Sequence, residues 1–120
     1  MAKHNFKELK IWQRSIDLAA KVYSLTAKFP DSEKFGLISQ TRRSAVSVPS
    51  NIAEGSGRGS NKDFSRFLDI SLSSSFELET QLIIAKMLNF KGTNDESFNL
   101  TIAELSEVQN MIFGFQKKIK

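Results

Sequence analysis

Residues that could support catalysis are few in this sequence, and their spacing argues against a reactive site. The only histidine, His4, lies close to the start of the chain, where we expect its side chain to be solvated. The position of this one histidine excludes a Ser–His nucleophile, and the absence of cysteine excludes a Cys–His nucleophile. The sequence also has no Glu-x-x-His pair that could hold a diiron centre. Glu77 and Glu79 would point about 160° apart on one helix, so they cannot chelate one ion together. The sequence therefore predicts no catalytic residue, no metal and no cofactor.

Lysine and arginine form the second group of residues whose chemistry could define a function. The chain has 17 of them against 13 acidic residues, a net charge of +4 and a pI near 9.5. This net charge permits binding to nucleic acid. The loop of residues 55–60, GSGRGS, leads into a predicted helix, and the free N–H groups at the start of a helix favour an anion. The residues that we predict to contact nucleic acid are Arg42, Arg43, Arg58, Lys62, Arg66, Lys10 and Arg14.

The same cations also have purely structural interpretations. The loop of residues 55–60 could be a flexible turn whose charges are simply solvated. Arg43 could pair with a glutamate across an interface, and Arg42 could extend its apolar stem along the core. Most of the excess positive charge lies in residues 1–28, with a smaller cluster at residues 117–120.

Four segments have apolar residues at the three- and four-residue spacing of amphipathic helices. The Phe29-Pro30 pair and the glycines of residues 55–59 separate the first three segments, and Gly92 precedes the fourth. Asp31 or Ser32 could cap the second helix, and Ser60 could cap the third. These signals predict one all-α domain over residues 1–120, an antiparallel up-and-down four-helix bundle. The predicted helices span residues 7–28, 33–54, 61–90 and 95–118.

A proline and a row of small polar residues distinguish the second helix. The row falls within about 80° of a helical wheel. It consists of Gln40, Ser44, Ser47, Asn51 and Glu54. Small hydroxyl and amide groups suit a hydrogen-bonded helix contact, so we predict that the row forms a seam within a subunit or between subunits. Pro49 removes one backbone donor, and we predict a kinked but continuous helix because the residues after it keep the helical phase.

The segment of residues 42–58, RRSAVSVPSNIAEGSGR, resembles the signature of small four-helix-bundle proteins encoded in intervening sequences of bacterial 23S rRNA genes. The resemblance extends through almost the whole chain: it includes particular residues from Phe6 and Trp12 to Ser74 and Glu79, and the last helix matches only in pattern. Two small residues stand where Ala and Gly are more usual, Ser71 and Ser73. The resemblance implies ring-like pentamers and kinship with the variability-determinant accessory proteins of retroelements, which bind RNA and a reverse transcriptase. The resemblance is nearly silent about activity, because the family has no firmly established biochemical role.

The third helix has more apolar surface than one bundle contact requires. Its large apolar residues cover about 200° of the helical wheel, whereas a helix with one stripe in a four-helix core needs roughly 100–140°. A central position within the monomer would explain the surplus. An oligomer interface explains it better, so we predict a homo-oligomer, and the resemblance favours five subunits.

Two functions fit these observations. The first is a non-enzymatic, homo-oligomeric bundle, pentameric by resemblance, that binds RNA as an accessory protein and has a nucleic-acid-processing protein as a further partner. The alternative is a protein–protein interaction or scaffold module without nucleic-acid binding, whose polar seam and apolar arc serve assembly alone. The chain has no apolar run that could span a bilayer and no signal-peptide core, so we expect a cytoplasmic protein without a membrane partner.

Overall fold

The four amphipathic segments form the four long helices of the structure. The structure is a computed structural model and describes residues 4–120. Short 3-10 turns at Phe6–Glu8 and Asp31–Glu33 precede the first two helices. Residues 4–120 contain no β-strand, and the prediction of an all-α, four-helix chain is confirmed. The helices are α1 (Lys10–Thr26), α2 (Leu37–Ser56), α3 (Asn61–Met87) and α4 (Glu96–Ile119).

Each helix packs against two neighbours, so the four helices surround one core. Helices α1 and α3 both pack against α2 and α4, and the α2–α3 contact is the most extensive. Along this contact residue numbers rise in α2 as they fall in α3, since Gly55 lies against Phe64 while Ser47 bonds Ser74. This order is the one expected of neighbouring helices in an up-and-down bundle. The molecule measures 46 × 25 × 20 Å.

The core is built from the residues that recur at helical spacing. Aliphatic side chains from all four helices and two phenylalanines are almost completely removed from solvent. Burying each of these large side chains stabilises the fold by about 1.5–3 kcal/mol. The largest of them are Phe64, Phe98, Leu18, Ile52, Leu68, Leu78, Leu82, Leu105, Ile112, Val22, Val48 and Val108.

The start of α2 differs from the prediction. Neither Asp31 nor Ser32 caps this helix, because residues 31–33 form a separate 3-10 turn and α2 begins only at Leu37. Gly36 occupies the N-cap position and offers no side-chain acceptor. The Glu33 carboxylate caps the helix instead, because its Oε1 accepts the Leu37 N–H at 2.9 Å. The cap of α3 follows the prediction, with Ser60 Oγ accepting the N–H of the third helical residue at 3.1 Å.

Helix α2 continues through Pro49, which is buried within it. The prediction of a continuous helix is therefore confirmed, and the bend at the proline stays a prediction. Close to the proline, Ser71 Oγ of α3 donates to the carbonyl oxygen of Val48 at 2.8 Å. Ser71, a small residue of α3, thus bonds α2 directly before the proline.

Candidate nucleic-acid interface at the basic end

The bundle separates its charges along its length. One end, which we call the basic end, consists of residues 4–10, 54–66 and 114–120, and it holds eight lysines and arginines against three acidic residues. The opposite end consists of residues 26–37 and 86–97 and holds four cations and four acids. The excess positive charge of the described chain is therefore concentrated where α1 and α3 begin and where α2 and α4 end.

Two surface grooves open at the basic end, and each has lysines from more than one segment of the chain. One groove, of about 420 Å³, lies between the start of α3 and the end of α4, with Lys62, Arg66 and Lys120 in its lining. The other, of about 470 Å³, lies between the start of α1 and the end of α4, with Lys10 and Lys118 in its lining. Cations on both sides of a groove can contact successive phosphates of one strand.

Four of the predicted nucleic-acid contacts lie at the basic end, and they differ in how far they are already paired. Within residues 4–120, Lys10 and Lys62 form no ion pair. Arg66 is only loosely associated with Asp63, at 3.8 Å, and 71% of its side chain is exposed. Arg58 donates to a Glu54 carboxylate oxygen at 3.0 Å, and its guanidinium lies 4.6 Å from the ring of Phe67. The two lysines and Arg66 are therefore the readiest to accept a phosphate.

The other three predicted contacts lie away from the basic end. Arg14 donates to Glu107 at 2.6 Å in the contact between α1 and α4. Arg42 Nε donates to Thr26 Oγ1 at 2.8 Å, and its guanidinium lies 4.5 Å from the ring of Tyr23, so it fastens α2 to the end of α1. Arg43 is exposed and forms no ion pair within residues 4–120. The structure thus brings these three arginines neither to each other nor to the other four cations.

Ion pairs within α1 and between α1 and α4 shift the pKa values of three groups. The hydrogen bond to Glu107 raises the pKa of Arg14 above its usual range. Hydrogen bonds to Glu104 and Asp17 raise the pKa of Lys21, and the bond from Lys21 lowers the pKa of the Asp17 carboxyl. Arg14, Lys21 and Asp17 are 39–57% exposed, so solvent screens their pairs and each contributes little to stability. The pairs to Glu104 and Glu107 join α1 to α4.

The polar row of α2 lies against α3 in its central part and is exposed at its two ends. Ser44 is buried, Ser47 Oγ lies 2.8 Å from Ser74 Oγ, and Asn51 donates to Ser47 Oγ at 2.9 Å. At the ends of the row, Gln40 and Glu54 are exposed. Part of the row also lines an open groove of about 410 Å³ between α2 and α3, which contains Gln40, Arg43, Ser44, Ser47, Ser74, Glu77 and Gln81.

The structure places His4 and the acidic side chains, for which we predicted no catalytic or metal-binding role, as follows. His4 is exposed, but it contacts the bundle. Its backbone N–H donates to the carbonyl oxygen of Ser56 at 3.1 Å, and its ring lies 5.3 Å from the ring of Phe64. Within residues 4–120, no group of three acidic or histidine side chains is arranged to hold a metal ion. None of the helices in this part of the chain is sufficiently long and apolar to cross a bilayer.

The predicted set omitted three lysines near the end of α4. Lys117 and Lys118 belong to its last turn, and Lys120 lines the same groove as Lys62 and Arg66. The sequence contained a signal for them, because lysine is concentrated in residues 117–120. Only the antiparallel packing of α3 and α4 shows that this cluster meets the start of α3.

These features define a small all-α bundle with one strongly cationic end. The comparisons with known proteins agree with this class. The family model described as "23S rRNA-intervening sequence protein" matches residues 7–114, and the chain belongs to that family. Comparison with curated protein sequences gives no significant match.

Proposed function

We propose that this protein is a non-enzymatic accessory protein that binds RNA through its basic end and acts as a homo-oligomer, with a pentamer favoured. The observation that carries the proposal is the concentration of eight cations against three acids at one end of the bundle. Phosphate contacts provide most of the affinity of such surfaces, because each one releases condensed counterions from the nucleic acid. The family description refers to an intervening sequence of 23S rRNA, and for this reason we favour RNA over DNA.

The distribution of ion pairs also favours the basic end as the RNA-binding site. Lys10, Lys62 and Lys118 are exposed, and within residues 4–120 none of them forms an ion pair that a phosphate would have to replace. Arg14 and Lys21, in contrast, are held by Glu104 and Glu107 in the α1–α4 contact. Free cations cost less to move onto a phosphate than paired ones, so the basic end is the better electrostatic site.

The proposed oligomer is supported by the outer surface of α3. Five of its large apolar side chains are between 41% and 76% exposed in the single chain. Exposed large apolar side chains in this number on one helix are typical of a contact surface. The number of five subunits comes from the family resemblance. The exposed residues are Ile70, Phe76, Ile83, Ile84 and Met87.

The same apolar surface supports the second candidate, a protein-interaction scaffold that binds no nucleic acid. In that case the cations of the basic end would serve only to keep the protein soluble. A nucleic-acid-processing protein is the further partner that the resemblance implies for either candidate, and the cytoplasm is the proposed location. Binding of RNA separates the two candidates directly.

The test compares two variants that remove the same charge from opposite ends. The first is Lys62→Gln with Lys118→Gln, one lysine from each groove of the basic end. The matched control is Lys34→Gln with Lys91→Gln, two exposed lysines at the opposite end. Each phosphate contact to a single strand multiplies the binding constant by about [salt] to the power −0.7, which is roughly fivefold at 0.1 M salt. We therefore expect the first variant to bind a short single-stranded RNA roughly 25-fold more weakly, and the control to bind like the wild type.

Fluorescence anisotropy of a labelled RNA at fixed ionic strength measures both affinities. Circular dichroism and size exclusion with light scattering check that the variants keep their helix content and mass. Equal losses in the two variants would show that only net charge matters and would contradict a site at the basic end. Absence of binding by the wild type would favour the scaffold.

A further inference from the structure

The groove between the start of α1 and the end of α4 has features that phosphate binding alone does not require. It belongs to the basic end and has a volume of about 470 Å³. Most of its lining is apolar, and an aromatic ring is part of it. We propose that this groove takes one unstacked base of the bound RNA. The inference rests on the proposed RNA binding and adds the part of the nucleotide that phosphate contacts leave unrecognised.

Four apolar side chains form the floor of this groove. Ile11 is almost completely buried, whereas Leu9, Met111 and Phe115 pack against the core on one side and line the groove on the other. A nucleobase has two broad faces of low polarity, and an apolar floor removes one of them from water. The floor therefore suits a flat, unpaired base better than it suits a phosphate.

Phe115 is the aromatic member of the floor, and neighbouring rings fix its orientation. The ring of the buried Phe64 meets it at a centroid distance of 5.6 Å and an angle of 60°, and the ring of His4 lies 6.1 Å away. A ring that is held before binding loses little conformational freedom when a base stacks on it. Stacking on aromatic side chains is a common way for proteins to bind single-stranded RNA without reading its sequence.

The space beside Phe115 depends on Gly114. This residue lies within α4, five residues before the last one, where glycine is a poor helix former. A Cβ atom at Gly114 would meet no atom within 4 Å, and the backbone there is not left-handed. Neither packing nor backbone geometry therefore requires a glycine at this position. Its effect is to leave the groove open, because a larger side chain would project into it.

The two lysines of the groove lie on opposite walls, since Lys10 belongs to α1 and Lys118 to α4. Both are exposed, and within residues 4–120 neither forms an ion pair. The lining also holds one acid, Glu8, which is exposed and pairs with neither lysine. Every base within an RNA strand is flanked by two phosphates. An apolar floor between two cations therefore matches one nucleotide of a strand.

Two other grooves of the bundle lack this combination. At the basic end, the groove between α3 and α4 has three cations but a single apolar side chain, Ile119, so it suits phosphates better than a base. At the opposite end, an apolar groove between α3 and α4 has one lysine, Lys86, which already donates to the carbonyl oxygen of Thr93 at 3.0 Å. The groove beside Gly114 is therefore the better position for a base.

Gly114→Leu tests this assignment, because it fills the groove and keeps every lysine. Leucine is also a better helix former than glycine, so the variant should fold. The matched control is Ala103→Leu. Ala103 is exposed, lies about three turns earlier on the same side of α4, and belongs to neither groove of the basic end. Circular dichroism checks that both variants keep their helix content.

Two labelled strands separate the contribution of the bases from that of the phosphates. One is a short single-stranded RNA, and the other has the same length and the same sugar-phosphate backbone but no bases. Fluorescence anisotropy at fixed ionic strength measures both affinities. We expect the wild type and the control to bind the RNA roughly tenfold more tightly than the base-free strand, through stacking of one base. Gly114→Leu should bind both strands with the affinity that the wild type has for the base-free strand.

A photocrosslink locates the base without a substitution in the protein. On irradiation, an RNA that carries iodouridine reacts with an aromatic side chain against which the modified base is stacked. Mass spectrometry of the irradiated wild-type complex should place the crosslink on Phe115. Crosslinks at other residues alone would contradict the proposed position.

The binding measurements can also overturn the inference. If Gly114→Leu binds the RNA as tightly as the wild type, or loses affinity equally for both strands, no base occupies the groove. A wild type that binds the two strands equally would contradict base recognition, although the proposed RNA binding through phosphates would stand. A wild type that binds neither strand would contradict the proposed RNA binding together with this inference.

Discussion

The contact between α2 and α3 depends on the absence of a side chain at Gly55. A Cβ atom at this position would lie 2.7 Å from Phe67 Cβ and 2.8 Å from Phe64 Cδ1. The first of these atoms is fixed to the α3 backbone, so it can move only if the helix moves. The hydrogen bonds between Ser47 and Ser74, and from Ser71 to Val48, hold the same two helices together. We therefore expect Gly55→Ala to destabilise the fold.

Two opposing effects determine the size of the change. Replacing a helical glycine with alanine stabilises a helix by up to about 1 kcal/mol, and less near its end, where Gly55 lies. Overpacking a tight contact costs about 1–3 kcal/mol. The distances of 2.7 and 2.8 Å are far below ordinary van der Waals separation, so overpacking should prevail by roughly 1–2 kcal/mol. For a domain of this size, that loss lowers Tm by about 4–8 °C.

Thermal denaturation, monitored by circular dichroism, measures the change in Tm. All variants are compared at one protein concentration, because assembly also affects stability. Gly114→Ala is the matched control, since Gly114 lies within α4 and an added Cβ would meet no atom within 4 Å. This control should raise Tm by a few degrees through helix propensity alone. If Gly55→Ala also raises Tm, α2 lies farther from Phe64 and Phe67 of α3 than these distances indicate.

Two further predictions concern contacts outside the α2–α3 seam, one between α3 and α4 and one within α1. Gln116→Leu should lower the free energy of unfolding by about 1–3 kcal/mol, because the buried amide donates to Ser65 O and to Asp69; an unchanged midpoint in urea would contradict this. Asp17→Asn should destabilise the protein by at most about 1 kcal/mol at pH 7, and the difference should be smaller at pH 2. The bond from Lys21 lowers the pKa of Asp17, so its contribution is present above the usual carboxyl pKa and lost as the pH falls through the lowered value. An equal loss at both pH values in thermal denaturation would refute this explanation.

Local sequence signals predicted the helices well and their starts less well. The Ser60 cap formed because acceptor and donor lie three residues apart and need no distant partner. Helix α2 started later than predicted because a Glu33 carboxylate caps it from the preceding turn. Helix α1 begins at Lys10 and not near residue 7, because Leu9 has an extended backbone that separates it from the 3-10 turn.

The candidate site was less predictable because it depends on which helix ends meet. The sequence marked Lys62 and Arg66 through their position after a glycine-rich loop. It could not show that Lys120 lines the same groove, because that follows from the packing of α4 against α3. Nor could it show that Arg42 is held by Thr26, a contact between residues sixteen positions apart.

The dependence of RNA affinity on salt tests the central claim, that the basic end binds RNA through phosphate contacts. Anisotropy titrations of a short single-stranded RNA between 50 and 200 mM salt give log K against log[salt]. If about four to seven of the eight cations contact phosphates, the slope should be roughly −3 to −5. A wild-type protein that fails to bind at 50 mM salt, or whose affinity does not change with salt, would contradict the claim.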